Sequence, residues 1–302
     1  MQQPAVYTNC PLELTADVWL LGNYFFNLYL VKGTRACALV EMGVTAVVDA
    51  VIGQLDRFGV SPDYLVLTHP HADHITGLPG LMEKYPRARL VAGAGAREFA
   101  LHPKALSGMV SEDHYTATRL GQVGLPAGRL ALQTLSFPAD HSAIAQTAEI
   151  DLGGLTLSCL PVQGHSPGNL AIHVPERGAL FVSDSLGFHY PGRGFCPLFF
   201  TGFEAFRATL AELASLKPDI VGPAHQGAIT GPDVETAFRQ AHDAAEGVLA
   251  TVRDSGESDE VVAGRLFEKY YVDEFTLYSE ENIMGCCRLL VRRAKEALKV
   301  EG

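Results

Sequence analysis

Three imidazoles and one carboxylate fall within six residues in the run His69-Pro70-His71-Ala72-Asp73-His74. In an extended segment the side chains at i and i+2 point the same way, so His69 and His71 can grip one ion. Asp73 and His74 follow where the start of a helix can aim both at a second ion. Neutral imidazole and carboxylate suit zinc, iron, manganese or cobalt, and the lack of a thiolate speaks against a purely structural zinc. The competing reading is a chance cluster of solvated histidines. An apolar strand pattern directly before the run and Gly77 after it argue against that.

Positioning these groups requires a strand that ends beside Thr68. Residues 63–68 contain the block Tyr64-Leu65-Val66-Leu67, which reads as a buried strand. Ahead of it, apolar runs at 18–21, 25–31 and 36–41 are separated by Gly-Asn and Lys-Gly-Thr, a hairpin signal that predicts an antiparallel meander. Residues 45–58 carry Val47, Val48, Val51, Ile52 and Leu55 at helical spacing and stop at Gly59. A helix over 75–84, a strand over 90–92 and helical material to about Leu120 follow. The second half has a similar grammar, with strands predicted at 155–162, 170–174, 180–183 and 220–221 and a helix at 203–216. Two strand-rich halves flanked by helices predict an α/β fold of two facing sheets with helices outside, a four-layer αββα sandwich. Beyond Gly231 the pattern changes to three helical segments at 234–255, 258–270 and 280–300. The expected organisation is a catalytic domain over 1–231 and a C-terminal helical extension over 232–302 that caps the site.

Composition narrows the function classes. The 302 residues are 47% hydrophobic, with 15 Phe and 10 Tyr, which excludes intrinsic disorder. Only 19% are charged, below the usual share, which leaves room for a buried homodimer interface. A formal net charge of −11 sets the surface against phosphate backbones, so the expected partner is a small-molecule substrate and not nucleic acid. Six cysteines without a C-x-x-C pair read as free thiols in a reducing compartment. Met1-Gln2-Gln3-Pro4 shows no basic region leading into an apolar core, and the apolar stretch 18–31 is interrupted and too short for a bilayer. A cytoplasmic protein without a membrane partner is expected.

The pattern His-x-His-x-Asp-His after a strand resembles the signature of the metallo-β-lactamase superfamily, and the resemblance extends over roughly residues 18–231. Gly164-His165-Ser166-Pro167-Gly168 matches the second motif, Phe181-Val182-Ser183-Asp184-Ser185 the third, and Gly222-Pro223-Ala224-His225 the fourth. All occur in family order, each after an apolar run. The resemblance implies two divalent metal ions, zinc first, with iron or manganese as alternatives. His69, His71 and His165 would hold one, Asp73, His74 and His225 the other, and Asp184 both. It further implies a hydroxide bridging the two ions as nucleophile, with Asp73 as the catalytic residue that orients it. Within the superfamily the plan is similar to the quinolone-signal response thioesterases and, more distantly, to glyoxalase II. That likeness implies a metal-dependent hydrolase acting on an ester-like bond, first a thioester of an apolar or aromatic acyl group. Both relatives carry a second His shortly after the Gly-His motif where this chain has Asn169, so their substrate handling does not transfer. A phosphodiesterase or lactonase of the same fold, or a signalling partner with an accessory metal site, is the alternative.

The stretch from Leu186 to Phe200 is rich in aromatic residues and glycine. It reads as a hydrophobic substrate wall, with Phe188, His189, Tyr190 and Phe195 as candidate contacts, or as a plug against the C-terminal helices. A second aromatic cluster, Tyr270, Tyr271, Phe275 and Tyr278, is placed to meet it. In the last helical segment Ile283, Cys287, Leu290, Val291 and Ala294 share one face. Arg288, Arg292 and Lys299 form a cationic stripe that either receives an anionic tail such as a CoA phosphate or is a solvated face balanced by Glu296. His102, His114, His141, His173 and His242 sit in ordinary surroundings and read as surface or packing residues.

Overall fold

Short apolar runs punctuated by turn residues build the first sheet. In the computed structural model, which describes residues 10–125 and 127–301, β1 (Leu12–Thr15), β2 (Val18–Gly22), β3 (Asn27–Lys32) and β4 (Cys37–Val40) form an antiparallel meander. Residues 1–4, read above for a leader, lie outside the described residues. A single 3-10 turn leads into α1 (Val48–Phe58), which closes on Gly59 in the left-handed conformation. Then come β5 (Tyr64–Leu67), α2 (Ala72–Ile75), α3 (Leu78–Lys84), β6 (Arg89–Gly93), α4 (Ala96–Ala100), α5 (Pro103–Gln122) and β7 (Ser142–Ile144). The sheet runs in the order β1-β2-β3-β4-β5-β6-β7, parallel from β4 onward.

The single helix expected over 75–84 is two helices. The Gly77 N–H donates to the Gly43 carbonyl at 3.0 Å, and a Cβ on Gly77 would collide with the Met42 carbonyl. This close approach of two backbones stops α2 after one turn, a tertiary event that helical periodicity does not register.

The second sheet comprises β8 (Ala148–Asp151), β9 (Thr156–Pro161), β10 (Leu170–Val174), β11 (Ala179–Phe181), β14 (Ile220–Gly222) and β15 (Ile229–Thr230), in the order β15-β14-β11-β10-β9-β8. Between β11 and β14 lie a hairpin of β12 (Phe188–Tyr190) and β13 (Gly194–Cys196), then α6 (Phe203–Ser215).

Strand alternation explains the layers. Tyr29, Val31, Val40 and Val66 of the first sheet meet Cys159, Ile172, Val174 and Phe181 of the second in one buried cluster. Tyr29 stacks on Phe181 with centroids 4.4 Å apart. The intervening residues, such as Leu28, Leu30, Leu65, Leu180 and Val221, face outward into a second cluster with helices including α1, α3 and α6. Both sheets are therefore covered on both faces, which gives the expected αββα sandwich, and each fully buried Leu, Val or Phe contributes about 1.5–3 kcal/mol.

The chain continues as α7 (Asp233–Asp254), α8 (Asp259–Tyr270), a 3-10 turn over Asp273–Leu277, and α9 (Glu280–Glu301). Ile283, Cys287, Leu290, Val291 and Ala294 of α9 are buried in the same cluster as Phe199 and as Phe203 and Phe206 of α6. Among the described residues no helix is long and apolar enough to cross a membrane. All six cysteines are free thiols.

Candidate metal centre

The candidate residues gather at the ends of β5, β9, β11 and β14. Thr68, just after β5, accepts a hydrogen bond from Leu170 N at 2.8 Å and so ties the two sheets together beneath His69. His71 is the extended residue that caps α2, and the single turn of α2 carries Asp73 and His74. His165 follows Gly164, whose φ of +99° and lack of a Cβ let the backbone of Phe206 in α6 pass against it. Asp184 lies in the 3-10 turn after β11, and His225 follows β14. Three non-glycine residues with positive φ border these positions: Glu41 (72°), Ser183 (50°) and Gln226 (56°). Backbone strain of this kind persists where the surrounding structure enforces a functional geometry.

Two donor sets result. His69 Nε2, His71 Nδ1 and His165 Nε2 form a triangle with sides of 3.1–3.2 Å. Nitrogens on a tetrahedral ion at about 2.0–2.1 Å would stand about 3.4 Å apart, so this triangle fits the face of such a site. In the second set Asp73 Oδ2 lies 3.3 Å from His74 Nε2 and 3.4 Å from His225 Nε2. Asp184 stands between them. Its Oδ2 is 3.6 Å from His165 Nε2 and 3.4 Å from His74 Nε2, while its Oδ1 is 3.6 Å from His225 Nε2. Within each set of four, Asp184 included, the donor atoms lie within 4.8 Å of one another.

The outward nitrogens fix the tautomers. His165 Nδ1–H donates to the Leu198 carbonyl at 2.9 Å and His225 Nδ1–H to the Phe25 carbonyl at 2.7 Å. His74 Nδ1 sits 3.1 Å from Glu41 Oε2, whose other oxygen accepts from Thr68 Oγ1 at 2.7 Å. Each Nε2 lone pair is thereby turned inward. The inward atoms His74 Nε2, His225 Nε2 and Asp184 Oδ1 are buried without a hydrogen-bond partner. Buried orphan donors and acceptors are costly, and a cation between them removes the cost. The donor set fits two divalent ions.

Charge tells the same story. Burial pushes His71 down to about 3, pushes His69 well below its usual range with help from the neighbouring histidines, and lowers His165. The first set is thus neutral imidazole. Burial opposes ionisation of Asp73 and Asp184, yet the positive charge on His74, followed by contributions from His225, holds both carboxyls down. Burial likewise opposes a charge on His74, but Asp73, Glu41 and Asp184 push it well up. Without an ion, a proton on His74 balances these carboxylates. A divalent cation would supply two positive charges there and let His74 bind as the neutral imidazole.

A cavity of about 750 Å³ opens over His71, Asp73, His165 and Asp184. Its apolar wall includes Phe99, Phe188, Phe200 and Phe275, and Phe188 stacks on Phe275 with centroids 4.3 Å apart. The two aromatic clusters foreseen in the sequence therefore meet. Of the four candidate substrate contacts only Phe188 lines the cavity. His189 alternates to the other face of β12 and lies against its cross-strand partner Phe195, 4.9 Å away, with neither ring on the cavity. Tyr190 shares the Phe188 face but its hydroxyl is spent on the Tyr270 carbonyl at 2.5 Å. The reason is pairing in the β12–β13 hairpin, which the aromatic-rich stretch read as a loop did not reveal. Arg288 pairs with Glu260 and Arg292 with Glu296, and neither lines the cavity.

Two contributors escaped the sequence reading. One side of α5, with Ala105, Gly108, Met109 and Glu112, forms much of the wall, and its small residues at helical spacing were the available signal. The second is the hydroxyl of Tyr278, which donates to Asp73 Oδ2 at 2.8 Å. Asn169, the departure noted in the second motif, donates through Nδ2 to Ser185 Oγ at 3.1 Å and so backs the turn that carries Asp184.

Comparison with known proteins gives the fold and the family. A hydroxyacylglutathione hydrolase of Ruegeria pomeroyi is 31% identical over 214 residues, 69% of this chain and 64% of that protein, so the match spans just under two thirds of the relative. Among solved structures, a beta-lactamase domain protein from Burkholderia ambifaria superposes with a TM-score of 0.70 at 18% identity, covering 100% of this chain and 91% of that one. The sec-alkylsulfatase Pisa1 from Pseudomonas sp. gives 0.63 at 18% identity over 93% of this chain and 49% of that one. Identities this low speak for the fold alone. Residues 22–225, well over half of the chain, match the family model of the metallo-beta-lactamase superfamily and contain both donor sets. The chain belongs to the metallo-beta-lactamase superfamily.

Proposed function

We propose that this protein is a metal-dependent hydrolase that cleaves a thioester carrying an apolar or aromatic acyl group. The observation that carries this reading is the pair of donor sets sharing Asp184 on the floor of an aromatic-walled cavity. Similarity to a hydroxyacylglutathione hydrolase supports a thioester over other ester-like bonds. His69, His71 and His165 would hold one divalent ion, Asp73, His74 and His225 the other, and Asp184 would be shared, with zinc as the first expectation and iron or manganese as alternatives. Bound there, the two ions supply Lewis acidity and a water acidic enough to react near neutral pH.

The protein's own groups do the rest. Asp73, held ionised, accepts a hydrogen bond from the attacking water and orients it. Phe99, Phe188, Phe200 and Phe275 take the acyl chain and exclude bulk water. A thiolate leaves readily, so the site needs no dedicated acid beside the sulfur. In this reading residues 1–231 form the catalytic unit and 232–302 close the cavity. The substrate is a small cytoplasmic molecule.

The test is a metal analysis followed by kcat/KM on acyl thioesters of increasing length, lactones, a phosphodiester and a sulfate ester. The expected order puts thioesters first, rising with apolar acyl size. A phosphodiester or lactone faster than every thioester replaces this reading with the corresponding alternative. Two bound ions with no turnover of any substrate favour a signalling partner with an accessory metal site.

A further inference from the structure

Each inward-facing histidine of the second donor set is held from behind by a group within residues 22–225. His74 has Glu41, and His225 has the Phe25 carbonyl. Asp73 differs. It sits on a one-turn helix at the cavity floor, and the hydrogen bond to its carboxylate from outside the donor set comes from Tyr278, 205 residues further along the chain and outside the family match.

The oxygen involved is informative. Tyr278 donates to Oδ2, the same atom that faces His74 Nε2 at 3.3 Å and His225 Nε2 at 3.4 Å. A carboxylate oxygen has two in-plane lone pairs, so one can serve the phenol while the other faces the histidines. The phenol therefore selects which oxygen points at the second donor set and stops the carboxylate from swinging into the cavity. The ring is itself fixed: it is buried, lies edge-on to Phe188, Phe275 and His225 at 5.5–6.3 Å, and its carbonyl accepts from the Tyr271 hydroxyl at 3.0 Å. The backbone on either side is clasped by Arg193 on Asp273, by Tyr24 on Glu274, and by Ser279 on Glu112.

We propose that Tyr278 is a positioning residue of the metal centre: its hydroxyl orients Asp73 toward the second ion, so the segment between α8 and α9 completes a site whose donors all lie within residues 22–225. The proposal rests on the reading of Asp73, His74 and His225 as a cation site. It predicts that the two ions respond unequally to loss of one hydroxyl.

The experiment loads wild type, Tyr278→Phe and Arg193→Ala with cobalt(II) stepwise. It follows the visible absorption bands and measures stoichiometry by elemental analysis, with unfolding curves to confirm that each variant folds. Outer partners of metal ligands are worth roughly 10–100-fold in affinity. Tyr278→Phe, which keeps the ring, should weaken the second ion by about that factor, change the corresponding bands, and leave the first ion within about twofold. Arg193→Ala loosens the clasp but keeps the phenol, so both affinities should stay near wild type. A Tyr278→Phe variant with wild-type spectrum and affinities overturns the proposal. So does an equal loss in Arg193→Ala, which would assign the effect to the attachment of the segment and not to the hydroxyl. Fewer than two ions in the wild type overturns the underlying metal reading and the proposal with it.

Discussion

All seven candidate donors lie within a few residues of a strand end, Asp73 and His74 on the one-turn α2 behind β5, whereas much of the wall above them is helical, from α5, the segment between α8 and α9, and the start of α9, completed by Phe188 of β12 and by Phe200. The floor is held by backbone pairing between sheets and by buried groups with specific polar partners, such as Glu41 on His74 and Thr68. The wall is held by ring contacts such as Phe188 on Phe275 and by a few polar links such as Arg119 to the Thr276 carbonyl at 3.3 Å. A floor built this way tolerates little change, because every move orphans a buried polar atom. A wall built from packing can change shape while the floor stays put, which separates the chemistry from the choice of substrate.

The sharpest break in this contrast is Asp184→Ala. Elemental analysis should find at least one equivalent of metal lost, and turnover should fall on the order of 10³-fold or more, since both ions lose a shared anion. Two full equivalents retained would remove Asp184 from its bridging role.

Asp113→Ala tests the joint between wall and floor. Its buried carboxylate on α5 accepts from Thr76 Oγ1 at 2.6 Å, Leu132 N at 2.7 Å and Thr45 N at 3.0 Å. Leaving those donors unpaired should cost about 3 kcal/mol in urea unfolding. A loss below about 1 kcal/mol would show that α5 is held by packing alone.

A pH effect comes from the hairpin behind the wall. Burial pushes His189 down to about 4, and its Nδ1 has no partner. The unfolded chain titrates near 6.5, so between about 4 and 6.5 it binds more protons than the folded one. The stability tied to neutral His189 is thus fully present above about 6.5 and is lost as pH falls toward 4. Wild type should lose about 2 kcal/mol more than His189→Gln between pH 7 and 4.5. Parallel loss in both proteins would mean that the ring is solvated.

Phe275→Ala should act on selectivity. Removing the ring stacked on Phe188 should cut the preference for aromatic over acetyl thioesters by about tenfold in kcat/KM, with metal content unchanged. An unchanged preference would take Phe275 out of the acyl-binding wall. The smallest effect is expected on the outer face of α9. Arg288 is exposed and tied to Glu260, so Arg288→Ala should leave Tm unchanged and the KM for CoA thioesters within about twofold. A larger rise in KM would restore the cationic stripe as a phosphate receiver.

Much of this was legible in the sequence where the determinant is local. The cluster at 69–74 needs only a strand followed by a turn, and α1, α6 and the three C-terminal helices announce themselves by helical spacing, α1 also by its stop at Gly59. What was misread has two origins. The break after α2 comes from Gly77 pressing on the backbone at Met42, 35 positions earlier, and the turning of His189 away from the cavity comes from a local hairpin, its pairing with Phe195 of β13, which the aromatic composition masked.

The sequence by itself determined the chemistry available at residues 69–74, an acidic composition, and two aromatic clusters, while His165, Asp184 and His225 joined that cluster only through resemblance to a known family. Local rules suffice for the cluster at 69–74, because side-chain type and the alternation of a strand decide what a segment can offer. Tertiary structure alone decided which oxygen of Asp73 meets the phenol of Tyr278, which face of β12 looks into the cavity, and that α5 forms a wall. Those outcomes depend on how two sheets, a hairpin and four helices pack at once, and packing constraints of that range leave no period in the chain.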